Sequence, residues 1–492
     1  MDSKSTLLDI LKSGNWVYFI GIKGTGMCAL AELLHNRKIR VSGSDGAETF
    51  YTDDILKELG IPFYESFDAS HINDNSSLPD LVIYSAAYSA DTNPEIAEAQ
   101  RLNIPLYKYT DALGAYSAGF DSTGITGVHG KTTTTALAGT LLRGVGLPAQ
   151  VLTGSAVGAF GGRSILNLGD KYFVAETCEY RRHFLSFHPR RIILTSVESD
   201  HHDYFPKYED IRDAFIEYGR LLPPGGQLIY CADDPGASEV ALAIKSEKPE
   251  IDLVSYGFNA DADYRIEMFQ VMEERVFMRL NGFPGDLKIR VPGKHTALNA
   301  AAAIALCSAL VKQEFGNETY DGWNEERREN LKTALEEFSG SKRRSEILGE
   351  AGGILFMDDY GHHPTAIKTT LEGLKEFYPT RRLVISFMSH TYTRTSLLLD
   401  EFAASLQKAD MVLLHKIYSS ARENYEGGVT GETLFKKTRE TGKENVFYTD
   451  DPMDGFELMK DILRPGDLFI TMGAGDNWKL GKELFSFYRG GI

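Results

Sequence analysis

The strongest constraint on this chain is a rhythm of short apolar strands, glycine-bearing loops and helical segments that starts three times. Residues 16–22, WVYFIGI, read as a strand running into the loop GIKGTGM at 21–27. The helix-like CALAELLHN follows, then a second strand, IRVSGSD, ending at Asp45. TDDILKELG, IPFYE, DLVIYSAA at 80–87, EIAEAQRLN and IPLYK carry the alternation on. Strands alternating with helical segments predict βαβ units and a parallel sheet. The small, polar stretch ALGAYSAGFDSTG at 112–124 predicts a linker. The rhythm restarts with GITGVHGKTTTTALAGTLLRGVG and runs through KYFVAET, RRIILTSVESDHHDYF and QLIYCADDP. An alanine-rich helix is expected over about 295–311, and the basic cluster SKRRSE at 341–346 predicts a second hinge. ILFMDDYGHHP, RLVISFMSH, ADMVLLHKIY and GDLFITMGAGDNW then repeat the pattern. At roughly 150 residues per domain, 492 residues agree with three α/β modules, expected at 1–118, 119–342 and 343–492.

Composition narrows the function. Hydrophobic residues at 42% and charged ones at 25% are those of an ordinary globular protein. No apolar run reaches the roughly 18 residues of a spanning helix, and the first residues, MDSKSTLLDILKSGNW, lack a signal core, so a cytoplasmic protein without a membrane partner is expected. The net charge of −17 opposes general adhesion to nucleic acid or anionic lipid, and an anionic substrate needs a local positive site. Cys28, Cys178, Cys231 and Cys307 lie far apart with no CxxC pair, which fits a reducing compartment.

The two glycine loops carry the chemistry. GIKGTG at 21–26 follows a strand and opens a helix, where backbone N–H groups meet a phosphate at a positive helix end. Asp45 lies near the spacing at which a dinucleotide fold places its ribose-binding acid, but Lys23 stands where that fingerprint wants glycine, so NAD is disfavoured. The second loop, ITGVHGKTTTT at 125–135, contains G-x-x-G-K-T with Gly127, Gly130, Lys131 and Thr132. Such a loop cradles a nucleoside triphosphate, its lysine pairing with the β/γ-phosphates and its threonine hydroxyl ligating Mg²⁺. Ile125 occupies the place of the usual first glycine.

Glu176 and Glu179 in ETCEY, and Glu198, Asp200, His201, His202 and Asp203 in VESDHHDYF, fall at carboxyl ends of strands, where open α/β sheets bind ligands. Hard oxygen ligands of this kind suit Mg²⁺. His295 and Asn299 stand four residues apart on one helix face, compatible with either capping or a nucleotide contact. DDYGHHPT at 358–365 predicts a buried polar loop near ATP or substrate, since adjacent His362 and His363 lack zinc-ligand spacing. Asp476 in TMGAGDNW is placed to receive a cation such as an ammonium.

In this order, GIKGTGM, VSGSD, IYSAA, GVHGKTTTT, AET–CEY, VESDHHDYF, PGKHTALNAAAAIA, FSGSKRRSE, DDYGHHPTAIKTTL, HTYTRT and TMGAGDNWKLG resemble the Mur ligase family over essentially the whole chain. The resemblance implies a Rossmann-like N-terminal domain, a P-loop-type central ATPase domain and a Rossmann-like C-terminal domain. It implies an ATP-dependent ligase joining L-alanine to the lactyl carboxylate of UDP-N-acetylmuramate through an acyl phosphate, as a monomer or homodimer. It assigns catalysis to Lys131, Glu179, His201 and His129, and Mg²⁺ to Thr132, Glu179 and His201. ATP contacts fall to Gly127, Val128, His129, Gly130, Lys131, Thr132, Thr133, His295, Asn299, Arg343, Arg344 and Asp359. Substrate contacts fall to Gly24, Thr25, Gly26, Asp45, Ser85, His362, Arg394 and Asp476. Domain closure is expected to turn on 112–124 and 340–345.

The chain departs from the family pattern at Cys178, where aspartate is usual, at Ser196 and Thr296, where asparagine is usual, and at Thr391, where arginine is usual. The alternative within the family is a recycling ligase that takes UDP-N-acetylmuramate and a preformed tripeptide, whose first loop reads GTFMG rather than GTGM. The alternatives outside that activity are an NAD-dependent oxidoreductase and a non-catalytic binding protein.

Overall fold

The computed structural model describes residues 14–73, 77–419 and 427–490. The N-terminal segment read for targeting thus lies largely outside the described residues. Residue contacts divide the chain into two compact units. One holds the residues up to Val197 with Ile211–Ser255 and Ala302–Leu331; the other holds Glu198–Asp210, Tyr256–Ala301 and Lys332 onward.

The first unit contains two parallel sheets. Strands β1 (Trp16–Ile20), β2 (Arg40–Ser44), β3 (Phe63–Tyr64), β4 (Leu81–Tyr84) and β5 (Leu106–Lys108) stand in the order β3-β2-β1-β4-β5, all parallel. That order reverses at β1, and the loop after β1 opens helix α1 (Thr25–Asn36) at the switch point where such sheets bind ligands. WVYFI is buried along its whole length, as a central parallel strand covered on both faces requires.

The segment 112–124 is not a linker. Its first part lies in helix α2 (Tyr109–Ser117), and its last part begins strand β6 (Asp121–Thr126). Small residues here serve close packing: a Cβ on Gly114 would fall 2.0 Å from the Ser186 carbonyl oxygen. The second sheet adds β7 (Ala149–Val157), β8 (Arg163–Asn167), β9 (Tyr172–Glu176), β10 (Arg191–Leu194) and β11 (Gln227–Cys231), in the order β11-β10-β6-β9-β7-β8 with β8 antiparallel at the edge. Helix α3 (Lys131–Gly144) follows β6 through the GKT loop. Charged bridges tie the two sheets' elements together: Arg163 meets Glu32 and Glu58, and Arg37 meets Asp170 while lying over Tyr116 and Phe120. A hinge at 112–124 is therefore braced on several sides.

In the second unit, the end of β12 (Asp252–Gly257) pairs in parallel with β13 (Tyr264–Met272), which continues antiparallel into β14 (Arg275–Leu280) and β15 (Phe283–Ile289). Helix α4 (Lys294–Phe315) begins here and runs to 22 residues, longer than the sequence pattern indicates. By length and composition it is apolar enough to cross a membrane, contrary to the expectation from apolar runs, but 72% of its most apolar window is buried within the protein. A third sheet, order β16-β17-β21-β18-β19-β20, comprises β16 (Glu346–Ala351), β17 (Ile354–Asp359), β18 (Arg382–Met388), β19 (Met411–Leu414), β20 (Val446–Tyr448) and β21 (Asp467–Gly473). Only β16 is antiparallel. Helices α5 (Pro364–Phe377) and α6 (Tyr392–Leu397) start from the loops after β17 and β18.

Candidate active site

The GKT loop is shaped by its glycines. Gly130 sits at the start of α3 with φ 81°, and Gly127 has φ 131°, backbone that side chains rarely adopt. A Cβ on Gly127 would fall 2.2 Å from Thr195 Oγ1. The loop leans on the end of β10: Val128 N–H donates to the Ser196 carbonyl (3.0 Å), His129 N–H to Ser196 Oγ (2.9 Å), and Thr195 Oγ1 to the carbonyls of Thr126 and His129. Ser196, one of the departures from the family pattern, thus braces the loop through its own hydroxyl.

Lys131 turns back on this loop. Its ammonium meets Glu179 at 2.9 Å and the carbonyls of Gly127 and Val128. Burial opposes the charge, but Glu179, with Cys178 and Glu176, outweighs that and holds the amine above its ordinary value. Glu179 is buried, whereas Cys178 beside it is exposed. Thr132 is buried at the first turn of α3, and its hydroxyl has no hydrogen-bond partner among the described residues. A hydroxyl free to coordinate, one residue from the lysine that meets a buried carboxylate, supplies hard-oxygen donors of the kind that fits Mg²⁺. Thr133 is half-buried on the same turn. Glu176 is braced by Gly154 N–H at 2.8 Å.

The first glycine loop is built differently. Lys23 is buried, and its ammonium reaches Asp53 (2.9 Å), Glu65 (3.2 Å) and the carbonyls of Gly46 and Glu48. Asp45 accepts from the N–H groups of Lys23 and Gly46 and from the Tyr88 hydroxyl, so the structure places it as a brace of the loop. Thr25 Oγ1 accepts from the Tyr51 hydroxyl, Gly24 starts α1 without a side-chain cap, and Gly26 abuts Tyr109. Ser85 lies after β4 with its Cβ 2.9 Å from where a Cβ on Gly21 would stand. Lys23, Asp45, Ser85 and the amides of α1 thus gather at the carboxyl ends of β1, β2 and β4.

In the second unit, Asp200 and Arg394 form a buried pair, with Nε and Nη2 both on Asp200 Oδ1 at 3.1 and 2.7 Å. Burial would raise the Asp200 carboxyl, but Arg394, with His201 and His362, holds it well below the usual carboxylate range. Burial and the neighbouring Arg394 push the His362 imidazole well below its ordinary value, so it is neutral. Its Nδ1 lies 3.0 Å from the Tyr360 carbonyl, which assigns the proton to Nδ1 and leaves Nε2 as an acceptor. His201 adopts φ 52° beside Asp200, and its own N–H donates to that carboxylate. Thr391, which N-caps α6, is held at φ 65° and ψ 139°, a region β-branched residues avoid.

Asp359 accepts from the N–H groups of Ser345 and Gly361, tying the hinge to the GHHP loop. The two basic hinge residues separate. Both lie over the Tyr360 ring, but Arg343 is also committed to Asp358 (2.9 Å) and the Gly473 carbonyl (2.8 Å), while Arg344 has no ion pair among the described residues. His295 and Asn299 share one face of α4; Asn299 is buried, and its side-chain amide has no hydrogen bond among the described residues. Thr296 donates to the Pro292 carbonyl at 2.8 Å, filling a capping role. Asp476 is half-exposed and already meets Lys479 at 3.0 Å. Sequence reasoning missed Thr195, Asp53 and Tyr109, whose roles depend on partners remote along the chain.

Parallel α/β sheets with a GKT cradle mark the chain as a nucleotide-binding α/β protein. Three family models match it in sequence: the Mur ligase family catalytic domain over residues 17–121, the Mur ligase middle domain over 125–307, and the Mur ligase glutamate ligase domain over 343–475. The chain belongs to the Mur ligase family and has its three-domain α/β architecture. It is similar to the UDP-N-acetylmuramate–L-alanine ligase of Treponema pallidum, with 50% identity over 97% of both chains. It is also similar to the enzyme of that name from Borrelia garinii, with 38% identity over 95% of this chain and 97% of that one. Among solved structures, the UDP-N-acetylmuramate–alanine ligase of Thermotoga maritima superposes with a TM-score of 0.75 at 27% identity, covering 97% of this chain and 99% of that one.

Proposed function

We propose that this chain joins L-alanine to the lactyl carboxylate of UDP-N-acetylmuramate, driven by ATP cleavage to ADP and phosphate, in the synthesis of peptidoglycan precursors. The observation that carries this reading is the 50% identity, over 97% of both chains, to a ligase of that name. The GKT cradle with Lys131 and Glu179 agrees with it. Residues 1–118 serve the UDP-sugar, 119–342 the ATP, and 343–492 the amino acid; the middle and C-terminal family models begin at residues 125 and 343, though the middle model ends at 307.

A carboxylate meeting a triphosphate is an anion meeting an anion, so catalysis is chiefly positioning and charge neutralisation. The lactyl carboxylate attacks the γ-phosphorus, the bond to the β–γ bridging oxygen breaks, and ADP leaves an acyl phosphate. The neutral amine of L-alanine adds to the acyl carbon, and the tetrahedral intermediate expels inorganic phosphate and sheds a proton. Lys131 stays charged beside Glu179 and offsets the anionic charge of the phosphoryl group. Thr132 and Glu179 are the residues that would hold Mg²⁺, with His201 assigned a second ion by the family pattern; the ion supplies further charge neutralisation. His129, two residues before Lys131 on the cradle, would lie beside the muramyl carboxylate, and neutral His362 offers Nε2 to the substrate ammonium.

The test is ADP release with UDP-N-acetylmuramate while each amino acid is omitted in turn. Release that requires L-alanine is expected. Release that instead requires L-Ala-γ-D-Glu-meso-diaminopimelate would move the chain to the recycling branch, and no release with either would overturn the ligase reading.

A further inference from the structure

Helix α1 begins at Gly24 with no side-chain cap, and the first amides of a helix have no partner within it. Tyr109, the first residue of α2, rests against this turn. A Cβ on Gly26 would lie 2.7 Å from Tyr109 Oη and 2.8 Å from Cζ. Helical Cβ atoms tilt toward the N-terminus, so the phenol hydroxyl stands on the open, amide-bearing side of α1. That hydroxyl has no hydrogen-bond partner among the described residues. It also lies within electrostatic range of Glu176 and Cys178, in the segment that carries Glu179. Tyr109 therefore touches the helix that the first glycine loop opens and feels the charge of the segment that faces the second.

We infer that Tyr109 is a substrate-contacting residue whose hydroxyl donates a hydrogen bond to the diphosphate of the UDP-sugar, beside the amides of α1. The inference rests on the UDP-sugar reading above and adds one residue to it. Burial, with Glu176 and Cys178, pushes the phenol above its ordinary value, so the hydroxyl keeps its proton and faces an anion as a donor. Gly26 follows from the same arrangement: any side chain there would displace the ring.

Tyr109→Phe removes the donor and keeps the ring, and isothermal titration with UDP as the probe reads the result. The expected outcome is a UDP Kd raised about tenfold, the scale of one hydrogen bond to a charged group. The Kd for Mg·ADP keeps its wild-type value, as does the melting temperature. A UDP Kd within about threefold of wild type overturns the assignment, and so does an equal loss of ADP affinity, which would mark a structural role. Wild-type protein that binds ADP but not UDP would overturn the UDP-sugar reading itself, and this inference with it.

Discussion

The two glycine loops of the first unit each present a lysine at a strand-to-helix turn, and the fold uses them in opposite ways. Lys23 has no exposed side-chain surface and is held by partners from distant segments: Asp53 at the start of the next helix, Glu65 beyond β3, and two carbonyls between them. Lys131 keeps 14% of its side chain exposed and bonds mainly to its own loop, with Glu179 as its ion-pair partner among the described residues. Next to Lys131 stands Thr132, whose hydroxyl has no hydrogen-bond partner among the described residues; beside Lys23 stands Thr52, whose hydroxyl already donates to the Lys23 carbonyl. A buried lysine whose acceptors are all remote along the chain is a strut. A lysine whose acceptors are the rim of its own cradle can exchange them for a phosphate.

The largest test of that contrast is Lys23→Met. Asp53, only 2% exposed, would lose its cation, and breaking a buried pair from one side costs about 3–5 kcal/mol. A large fall in melting temperature is expected, with turnover per folded molecule changed far less. A variant as stable as wild type would end the distinction.

Lys131→Ala should do the reverse. Loss of one preorganised charge contact costs roughly 2.7–4 kcal/mol in the transition state, so turnover of the folded protein falls at least about a hundredfold in a steady-state ADP-release assay. Near-normal turnover would remove Lys131 from the chemistry. The next effect concerns the two acids. Glu179→Gln should raise the half-saturating Mg²⁺ concentration at least about tenfold, by loss of a metal-site carboxylate, while Asp53→Asn leaves that titration where it was. Equal metal titrations in the two variants would place Glu179 among the struts.

The contrast also marks what the sequence makes legible. The period of WVYFI and DLVIY, and the GKT string, fix strands, helices and the cradle because those signals are local. Lys23 reads as an obstacle to a flat dinucleotide, but the partners of its ammonium lie 23–42 residues on and leave no local trace. Asp45 and Asp359 look like ligand acids by position, yet their oxygens accept backbone N–H groups at 2.6–2.8 Å. The stretch 112–124 misled because small residues signal loops in isolation and close packing in context; Gly114 against Ser186 is the second case.

The smallest effect sharpens the contrast from within. Lys23 faces two carboxylates of unlike setting, since Glu65 is 57% exposed and Asp53 is buried. If the strut works by keeping a buried charge paired, only the inner acid matters, because a solvent-exposed ion pair contributes about 0–1 kcal/mol after screening and side-chain entropy. Glu65→Gln should therefore lower stability by less than about 1 kcal/mol in a denaturant titration, and raising salt should shrink even that. The amide still accepts a hydrogen bond from the ammonium, and Asp53 with the Gly46 and Glu48 carbonyls still encloses it. A loss as large as that of Lys23→Met would mean that Glu65 anchors the lysine, and that the first loop is held from its rim, as the second is.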